Sequence, residues 1–470
     1  MAQAPSSLPI GPTANVVIAT IKPIVSSVHV QTINPSVLDL GPLDSFIPIF
    51  FAYRPADKSD SAYSQFLNRL KESLQQALVP FFGFAGRWIE IPNKSSRNRQ
   101  LLCNDEGVSF IEVYMDQTLD SIVNSSAEFQ PAPKLQGFEL LGLDPTQVKQ
   151  EMLPDGLPCL FVQVTRFSCG GVVIAPTFNH MLTDGKGFFN FLTAWSDLSR
   201  TNETTMNKVD FNRELAEKSS FKEYCSKRFV TKAPVTSVPL TTTATKLEQW
   251  TFKALEVSAS AIETLKQEAR EKSKCAPGFV STGDCILAHV WKSLSRQSSS
   301  ILAGKKKLVF TMNVEGRSRC YDPSIPDLCG NVTATMVAPQ IPIHELQEMS
   351  VASIASKIRE KLHNTKREEW LSFERLEATS ELFSSAEFAV IRTTSWSAFP
   401  LYDIDFGFGK PYFSSGINNF CVLKGSMCAM YIGPPIPSSS ASIATVYIWS
   451  TPEVLDALDR DSEYQFLFLQ

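Results

Sequence analysis

Residues 160–178 constrain the fold of this chain more than any other stretch. Residues 160–167 alternate in polarity, Cys169-Gly170-Gly171 can turn the chain, and residues 172–178 form a continuous hydrophobic run. Two strand-like segments around a glycine-containing turn predict a β-hairpin. The hairpin leads directly into the most informative motif of the sequence.

His180 opens that motif, His180-Met181-Leu182-Thr183-Asp184-Gly185, which has the form H-x-x-x-D-G. The apolar residues that follow recur at helical spacing, and Thr183 or Asp184 could cap the helix. These are Phe188, Phe191, Leu192, Trp195 and Leu198. A histidine between a strand and a helix is well held for proton transfer, because neutral imidazole can take a proton near physiological pH and later return it. By itself the motif also fits a purely structural turn.

Asp184 has two possible partners. Within one helix, the spacing of four residues would bring His180 and Asp184 to the same face. The histidine is instead predicted to end a strand and the aspartate to open a helix, so their side chains can diverge. A buried aspartate in such a turn more often pairs with an arginine, and Arg317 and Arg319 are the candidates.

Length and composition exclude several classes of protein. A chain of 470 residues is too long for one compact core, so we expect two domains. The net charge of -4 gives no basic surface for nucleic acid. No hydrophobic run approaches the roughly 18 residues of a membrane span, and the N-terminus does not have the form of a secretory signal. The ten cysteines are scattered, without C-x-x-C spacing, which predicts reduced thiols in a cytosolic protein.

The predicted elements divide the chain into two halves of mixed α/β content. The predicted strands cover residues 16–21, 101–103, 108–113, 160–167, 172–178, 248–252, 308–314, 388–391, 419–423, 427–431 and 443–449. The predicted helices cover residues 60–78, 188–198, 259–272 and 282–294. The polar segment after residue 198 lacks periodicity in its second part and is interpreted as a crossover. We therefore expect an N-terminal domain at residues 1–200, a crossover at 201–245 and a C-terminal domain at 246–470.

A second motif, residues 405–411, reads Asp-Phe-Gly-Phe-Gly-Lys-Pro. Gly407 and Gly409 allow backbone conformations that other residues rarely adopt, which predicts a tight turn packed by aromatic rings. The H-x-x-x-D-G motif followed by this block resembles the BAHD acyltransferases of plants, which move acyl groups from coenzyme A to alcohols or amines. Further stretches similar to the family are residues 70–87, 163–171, 281–291, 317–319, 330–331 and 394–396.

The resemblance implies two chloramphenicol-acetyltransferase-like α/β domains with a solvent channel between them. Acyl-CoA would be the co-substrate, with no permanently bound cofactor and no metal, in a monomeric cytosolic enzyme without nucleic-acid or membrane partners. His180 would act as general base, and the Trp396 indole N–H and the Thr394 hydroxyl would hold the oxyanion. Structural roles would fall to Asp184, Gly185, Arg317, Asp405, Gly407 and Gly409. Ser281 and Asp284 would contact coenzyme A.

Some residues depart from the family pattern. Phe408 stands where most members have tryptophan, and Leu328-Cys329 stands where Tyr-Phe is common. Residues 381–390 lack the arginine that holds a carboxylated cyclitol acceptor in some members. Two other functions stay open: a binding or regulatory protein without catalysis, and a condensation-type amide-forming domain. The latter usually has a second histidine where this chain has Asn179.

Overall fold

The computed structural model describes most of the chain. The described residues are 15–26, 30–40, 46–91, 99–122, 156–204, 209–218, 220, 251–272, 278–297, 302, 304–305, 307–384, 387–416 and 426–469. They form two six-stranded mixed sheets, a smaller four-stranded sheet and flanking helices, which confirms the predicted mixed α/β class. The strand predicted at 419–423 and the whole second part of the predicted crossover lie outside the described residues.

The first large sheet carries the predicted hairpin at its centre. Its strand order is β1 (Asn15–Ile21), β6 (Val108–Met115), β8 (Leu160–Phe167), β9 (Val172–Asn179), β3 (Phe46–Tyr53) and β14 (Phe413–Gly416). β8 and β9 pair antiparallel, as the sequence predicts. Every residue of β9 is buried, which agrees with its unbroken run of apolar residues and places the end of the strand deep in the protein.

The second large sheet is built from the other half of the chain. Its strand order is β10 (Thr251–Ser258), β16 (Ser442–Ser450), β15 (Ser426–Gly433), β13 (Phe388–Ser395), β11 (Lys307–Glu315) and β12 (Thr333–Val337). β13 runs parallel to both of its neighbours, and the other pairs are antiparallel. The register places Thr394 opposite Tyr431 and Asn313.

The small sheet contains β2 (Gln31–Ile33), β5 (Arg99–Cys103), β4 (Arg87–Glu90) and β7 (Leu157–Pro158). The strands predicted at residues 101–103 and 108–113 are close in the sequence but join different sheets. β5 pairs with β2 and β4, whereas β6 pairs with β1 and β8 in the first large sheet.

Ten helices cover the sheets in the part of the chain that the structure describes. They are α1 (Asp60–Ala77), α2 (Leu119–Ile122), α3 (Gly185–Thr201), α4 (Ala259–Lys272), α5 (Thr282–Ser295), α6 (Ile343–Glu348), α7 (Val351–Asn364), α8 (Phe373–Ser384), α9 (Pro452–Asp459) and α10 (Ser462–Gln465). Within the described residues no helix is both long and apolar enough to cross a membrane.

α1 and α3 pack against each other beside the first sheet through their apolar faces. The indole N–H of Trp195 on α3 donates to the backbone oxygen of Leu70 on α1, at 3.2 Å. This satisfies a buried polar group that would otherwise oppose packing. The pair of helices fixes the direction in which α3 leaves the histidine motif.

The two halves are interleaved at the edge of the first sheet. β14 lies late in the chain, yet it pairs antiparallel with β3, with Phe413 opposite Ala52 and Gly416 opposite Ile49. The domain bounds inferred from composition stay a prediction, but the strand pairing places residues 413–416 with the first sheet. A short 3₁₀ helix, Arg213–Ala216, also shows that the beginning of the predicted crossover is ordered and partly buried.

Candidate active site

His180 lies in the turn between the end of β9 and the start of α3. The side chain of Asn179 holds this turn, because its Oδ1 accepts a hydrogen bond from the backbone N of Met181 at 2.9 Å. Asp184, rather than Thr183, is the N-cap of α3, and its carboxylate accepts from the Gly187 N–H at 3.1 Å. His180 is partly exposed, whereas Asn179 and residues 181–184 of the turn are buried.

Asp184 forms a bidentate ion pair with Arg317. Nη1 of Arg317 lies 2.9 Å from Oδ2 and Nη2 lies 3.0 Å from Oδ1, and both side chains are only 3% exposed. Oδ2 also accepts from the backbone N of Val332 at 2.9 Å. Burial opposes ionisation, but the Arg317 charge and these hydrogen bonds outweigh it and hold the pKa of Asp184 below its ordinary value. The predicted pairing with an arginine is confirmed, and Arg317 is the partner.

Arg317 also ties the two halves together. Its guanidinium donates to the backbone oxygens of Leu328 at 2.9 and 3.0 Å and of Gly330 at 2.8 Å. The segment that contains Gly330 is thereby held against the histidine turn. Asp184 thus serves as a cap and as an anchor between the halves, roles that fit the structural assignment made from sequence.

The direct polar neighbour of the His180 ring is Asn331. Nδ1 of His180 lies 3.1 Å from Oδ1 of Asn331, whose Nδ2 donates back to the His180 backbone oxygen at 2.8 Å. An amide oxygen can only accept, so this contact requires a hydrogen on Nδ1 and leaves the lone pair on Nε2. Desolvation lowers the pKa of His180 and favours the neutral imidazole. A neutral ring with a free Nε2 is suited to act as a base.

Sequence reasoning did not assign this role to Asn331. The residue was noticed only as part of a stretch similar to the family. The only sequence feature that could have indicated the role of Asn331 is its position directly after Gly330. An asparagine at that distance from the histidine carries no local pattern that would have identified the contact.

Trp396 and Thr394 lie at the end of β13, on the second sheet. The Trp396 ring stacks on Tyr431, with 4.8 Å between ring centroids, and meets Phe189 of α3 edge-on at 6.4 Å. Its backbone N donates to Ile432 O at 2.7 Å, which fixes the strand end. The indole is 9% exposed, and Thr394 is partly exposed. The contact with Phe189 places Trp396 against the helix that follows the histidine turn, while its role toward substrate stays a prediction.

Gly185 makes room for a contact between the halves. A Cβ at this position would lie 2.7 Å from the ring of Phe399, which belongs to the loop after β13. A side chain there would displace the ring. The sequence-based structural role of Gly185 thus has a clear steric basis.

The Asp405–Pro411 block forms the expected glycine turn. Gly407 and Gly409 have φ values of 108° and 84°, and Oδ1 of Asp405 accepts from both of their N–H groups, at 2.7 and 2.9 Å. The aromatic residues of the block pack onto the first half of the chain. The ring centroids of Phe406 and Trp195 lie 4.7 Å apart, and those of Phe408 and Phe66 of α1 lie 3.9 Å apart. Phe408 therefore packs the turn against α1 as an aromatic residue.

Ser281 and Asp284 form a capping box at the start of α5. The Ser281 hydroxyl accepts from the Asp284 N–H, and the Asp284 carboxylate accepts from the Ser281 N–H. Nε of Arg359 also donates to Asp284 Oδ2 at 2.7 Å. These contacts explain both residues structurally, and their contact with coenzyme A remains a prediction.

The other residues that could take part in catalysis or metal binding are His289, the cysteines and groups of metal-ligating side chains. His289 is buried, and its Nε2 contacts Tyr464 O at 3.0 Å. Seven cysteines in the described part of the chain are free thiols. Among the described residues, no three or more His, Cys, Asp or Glu side chains are grouped so that they could hold a metal ion.

Comparison with known proteins agrees with this geometry. A family model described as Transferase family matches residues 16–448, and the chain belongs to this family, that of the BAHD acyl-CoA-dependent O- and N-acyltransferases.

Two curated plant enzymes show the similarity in sequence. Hydroxycinnamoyl-CoA:piscidic acid hydroxycinnamoyltransferase of Actaea racemosa is 27% identical, over 78% of this chain and 82% of the relative. Anthranilate N-benzoyltransferase protein 2 of Dianthus caryophyllus is 28% identical, over 75% of this chain and 77% of the relative.

Two crystal structures show the same fold. Vinorine synthase superposes with a TM-score of 0.70 at 20% identity, covering 97% of this chain and 98% of that chain. TRI101 of F. graminearum, complexed with ethyl coenzyme A, superposes with a TM-score of 0.64 at 17% identity, covering 93% and 98%.

Proposed function

We propose that the protein transfers an acyl group from acyl-CoA to a hydroxyl or amine of a plant specialised metabolite, with His180 as general base and no covalent enzyme intermediate. The acyl group is aromatic, such as hydroxycinnamoyl or benzoyl, or aliphatic. The contact between His180 Nδ1 and Asn331 Oδ1 is the observation that carries the proposal, because it leaves Nε2 free to accept a proton. The acyl donors and acceptors in the relatives' names support the reaction class.

The reaction proceeds by direct attack. Nε2 of His180 takes the proton of the acceptor hydroxyl or amine, whose oxygen or nitrogen forms a bond to the thioester carbonyl carbon. The tetrahedral oxyanion then collapses, the carbon–sulfur bond breaks, and the imidazolium returns the proton to the CoA thiolate. A base of this kind contributes roughly 10²–10⁴-fold to the rate.

The oxyanion needs hydrogen-bond donors close to its developing charge. In our proposal, the Trp396 N–H and the Thr394 hydroxyl supply them. Both residues belong to the strand end that contacts α3 through Phe189, and Trp396 is held by stacking on Tyr431. A donor fixed in this way needs little reorganisation when the charge forms.

Coenzyme A would reach the site from the side of α5. In that arrangement the N-terminus of α5 would face a phosphate, since helix N-termini favour anions. Of the proposed pair only the Ser281 hydroxyl can donate, and it would have to turn away from Asp284 Oδ2, to which it donates at 2.8 Å. The Asp284 carboxylate would repel a phosphate. We further propose that the enzyme is a cytosolic monomer without a permanently bound cofactor and without metal, nucleic-acid or membrane partners.

A substrate panel tests the proposed function. The purified protein is incubated with acetyl-, benzoyl- and hydroxycinnamoyl-CoA in the presence of a plant metabolite extract, and products are detected by mass spectrometry. We expect products heavier than an acceptor by one acyl group, together with free CoA. Binding of acyl-CoA without any product or CoA release would favour the non-catalytic alternative. Transfer only from acyl groups tethered to a carrier protein would favour the condensation-type alternative.

Replacing Trp396 by phenylalanine separates its two possible roles. The variant keeps most of the apolar bulk that stacks on Tyr431 but removes the N–H. We expect turnover to fall by up to about 100-fold, less than the largest losses known for such donors, because the proposed channel would be open to solvent. Steady-state kinetics should show little change in the acceptor KM, and melting temperature should stay close to that of the wild type. Unchanged turnover would show that Trp396 only lines the proposed channel. The oxyanion would then be held by Thr394 or by water.

A further inference from the structure

The buried carboxylate of Asp39 accepts hydrogen bonds from Asn331, the residue that contacts His180. Asp39 lies between β2 and β3 and has no exposed surface. Its Oδ1 accepts hydrogen bonds from the backbone N of Asn331 at 3.0 Å and from Nδ2 of the same residue at 2.9 Å. The carboxylate is therefore connected to the imidazole through a single side-chain amide.

Asp39 forms a buried ion pair with Arg213. Nε of Arg213 lies 2.8 Å from Oδ2 of Asp39, which also accepts from the Ser36 N–H at 2.9 Å. Arg213 is 5% exposed, and its other nitrogens donate to the backbone oxygens of Leu182, at 2.6 Å, and Cys329. A buried charge is tolerated when it is paired and fully hydrogen-bonded. Asp39 meets both conditions, since Arg213 pairs with it and both of its carboxylate oxygens accept hydrogen bonds.

This arrangement determines how the Asn331 amide is oriented. Nδ2 faces three oxygen acceptors: Oδ1 of Asp39, the backbone oxygen of His180 at 2.8 Å and that of Met181 at 3.4 Å. A carboxylate accepts hydrogen bonds and cannot donate, so the NH₂ group must point toward it. The amide oxygen then faces Nδ1 of His180. A neutral amide at position 39 could itself donate and would weaken this constraint, leaving only the backbone oxygens of His180 and Met181 to orient the Asn331 amide.

We propose that Asp39 is a positioning residue that acts on His180 through Asn331, holding the imidazole in the Nδ1–H tautomer with Nε2 directed to the acceptor. The inference rests on the proposed role of His180 as general base. It adds a residue from the N-terminal segment, and through Arg213 a residue of the crossover, to the machinery that orients the base.

The charges around His180 determine the expected pH dependence. Asp184 and Asp39 are the acidic groups, Arg317 and Arg213 are their partners, and burial keeps the nearby Cys329 thiol neutral by raising its pKa to about 11. Desolvation lowers the pKa of His180, while a hydrogen bond to its own backbone, the Asp184 charge, the Asn331 hydrogen bond and the Asp39 charge oppose that effect. Loss of the Asp39 charge should therefore lower the pKa of His180 further. Since the base is active when neutral, the acid limb of the rate profile should move to lower pH.

The test is the variant Asp39→Asn, assayed for kcat, KM and the pH dependence of kcat/KM. We expect kcat to fall roughly 10- to 100-fold, a part of what a general base contributes, with KM little changed and the acid limb moved to lower pH. Nitrogen NMR of ¹⁵N-histidine-labelled protein should show the Nδ1–H tautomer of His180 in the wild type and a tautomer mixture in the variant. The His180 signal is identified by its absence in His180→Gln.

Two further variants separate positioning from stability. The double variant Asp39→Asn/Arg213→Gln removes both buried charges, so its melting temperature should recover toward the wild type. Its kcat should stay low and its His180 tautomers mixed, whereas a purely structural role predicts that activity returns with stability. Glu112→Gln is the matched control, since it removes a largely buried carboxylate paired with Lys71 at 2.6 Å, and it should leave the pH profile unchanged.

The outcomes distinguish this inference from the proposed function. A wild-type acid limb and a single Nδ1–H tautomer in Asp39→Asn would overturn the role of Asp39 and leave His180 as base. Full turnover in folded His180→Gln would instead remove the base itself. If the single variant does not fold, the double variant gives the same decision through its kcat and its tautomer signals.

Discussion

Replacing His180 by alanine should reduce turnover by at least about 100-fold, because the acceptor loses the base that takes its proton in the transition state. The side chain is partly exposed and does not fill the core, so the melting temperature should remain close to that of the wild type. Affinity for coenzyme A should also change little, since a base acts mainly on the transition state. Single-turnover kinetics and calorimetric titration with CoA measure these quantities.

A second histidine provides the control for this experiment. His363 lies exposed in the last turn of α7, and His363→Ala should retain turnover. Near-normal activity in a well-folded His180→Ala protein would exclude His180 from the mechanism. Loss of activity together with loss of folding would be resolved by His180→Gln, which keeps a polar side chain of similar size.

Replacing Asp184 by asparagine should lower the free energy of unfolding by up to about 3–5 kcal/mol, because buried Arg317 would keep only the partly exposed Glu315 carboxylate, 3.2 Å away, as its counter-charge. Activity should fall with stability and soluble yield, since the same carboxylate holds Gly187 and Val332. Urea-induced unfolding measures the loss. The pKa of Asp184 is depressed in the folded state, so its stabilisation is present above the ordinary aspartate pKa and disappears as the pH falls through the folded value.

An exposed ion pair gives the comparison for Asp184. Asp403 and Lys410 lie 2.7 Å apart with both side chains more than half exposed, so Asp403→Asn should cost less than about 1 kcal/mol. A stable Asp184→Asn protein with collapsed turnover would contradict the anchoring role. That result would point instead to a catalytic dyad of His180 and Asp184.

The features predicted correctly from sequence depend on neighbours in the chain. The hairpin of β8 and β9, the turn at His180 and the helix after it follow from apolar periodicity and capping residues within one stretch. The pair of Asp184 and Arg317 is long-range, but it could be inferred because a buried aspartate needs a cation and few arginines were available in a suitable loop. In that case the need of a buried carboxylate for a cation limited the possible partners of Asp184 to a few arginines.

The features that sequence reasoning missed depend on pairing between distant segments. Asp39 and Asn331 are separated by 292 positions, and neither belongs to a periodic pattern that would bring them together. The same holds for β5 and β6, which are close in sequence but join different sheets. Hydrogen bonds made by single polar side chains across the core have no local signature, so the support of His180 became visible only in three dimensions.

The position of β14 in the first sheet has a consequence for synthesis on the ribosome. β3 is complete when residue 53 has been made, but its outer partner ends at Gly416 of a chain of 470 residues. Until then the edge of β3 presents unpaired backbone groups, which are a site for pairing with other chains. The first half therefore cannot complete its sheet while the second half is being translated. We expect this edge to be open to pairing with other chains until nearly the whole polypeptide has emerged.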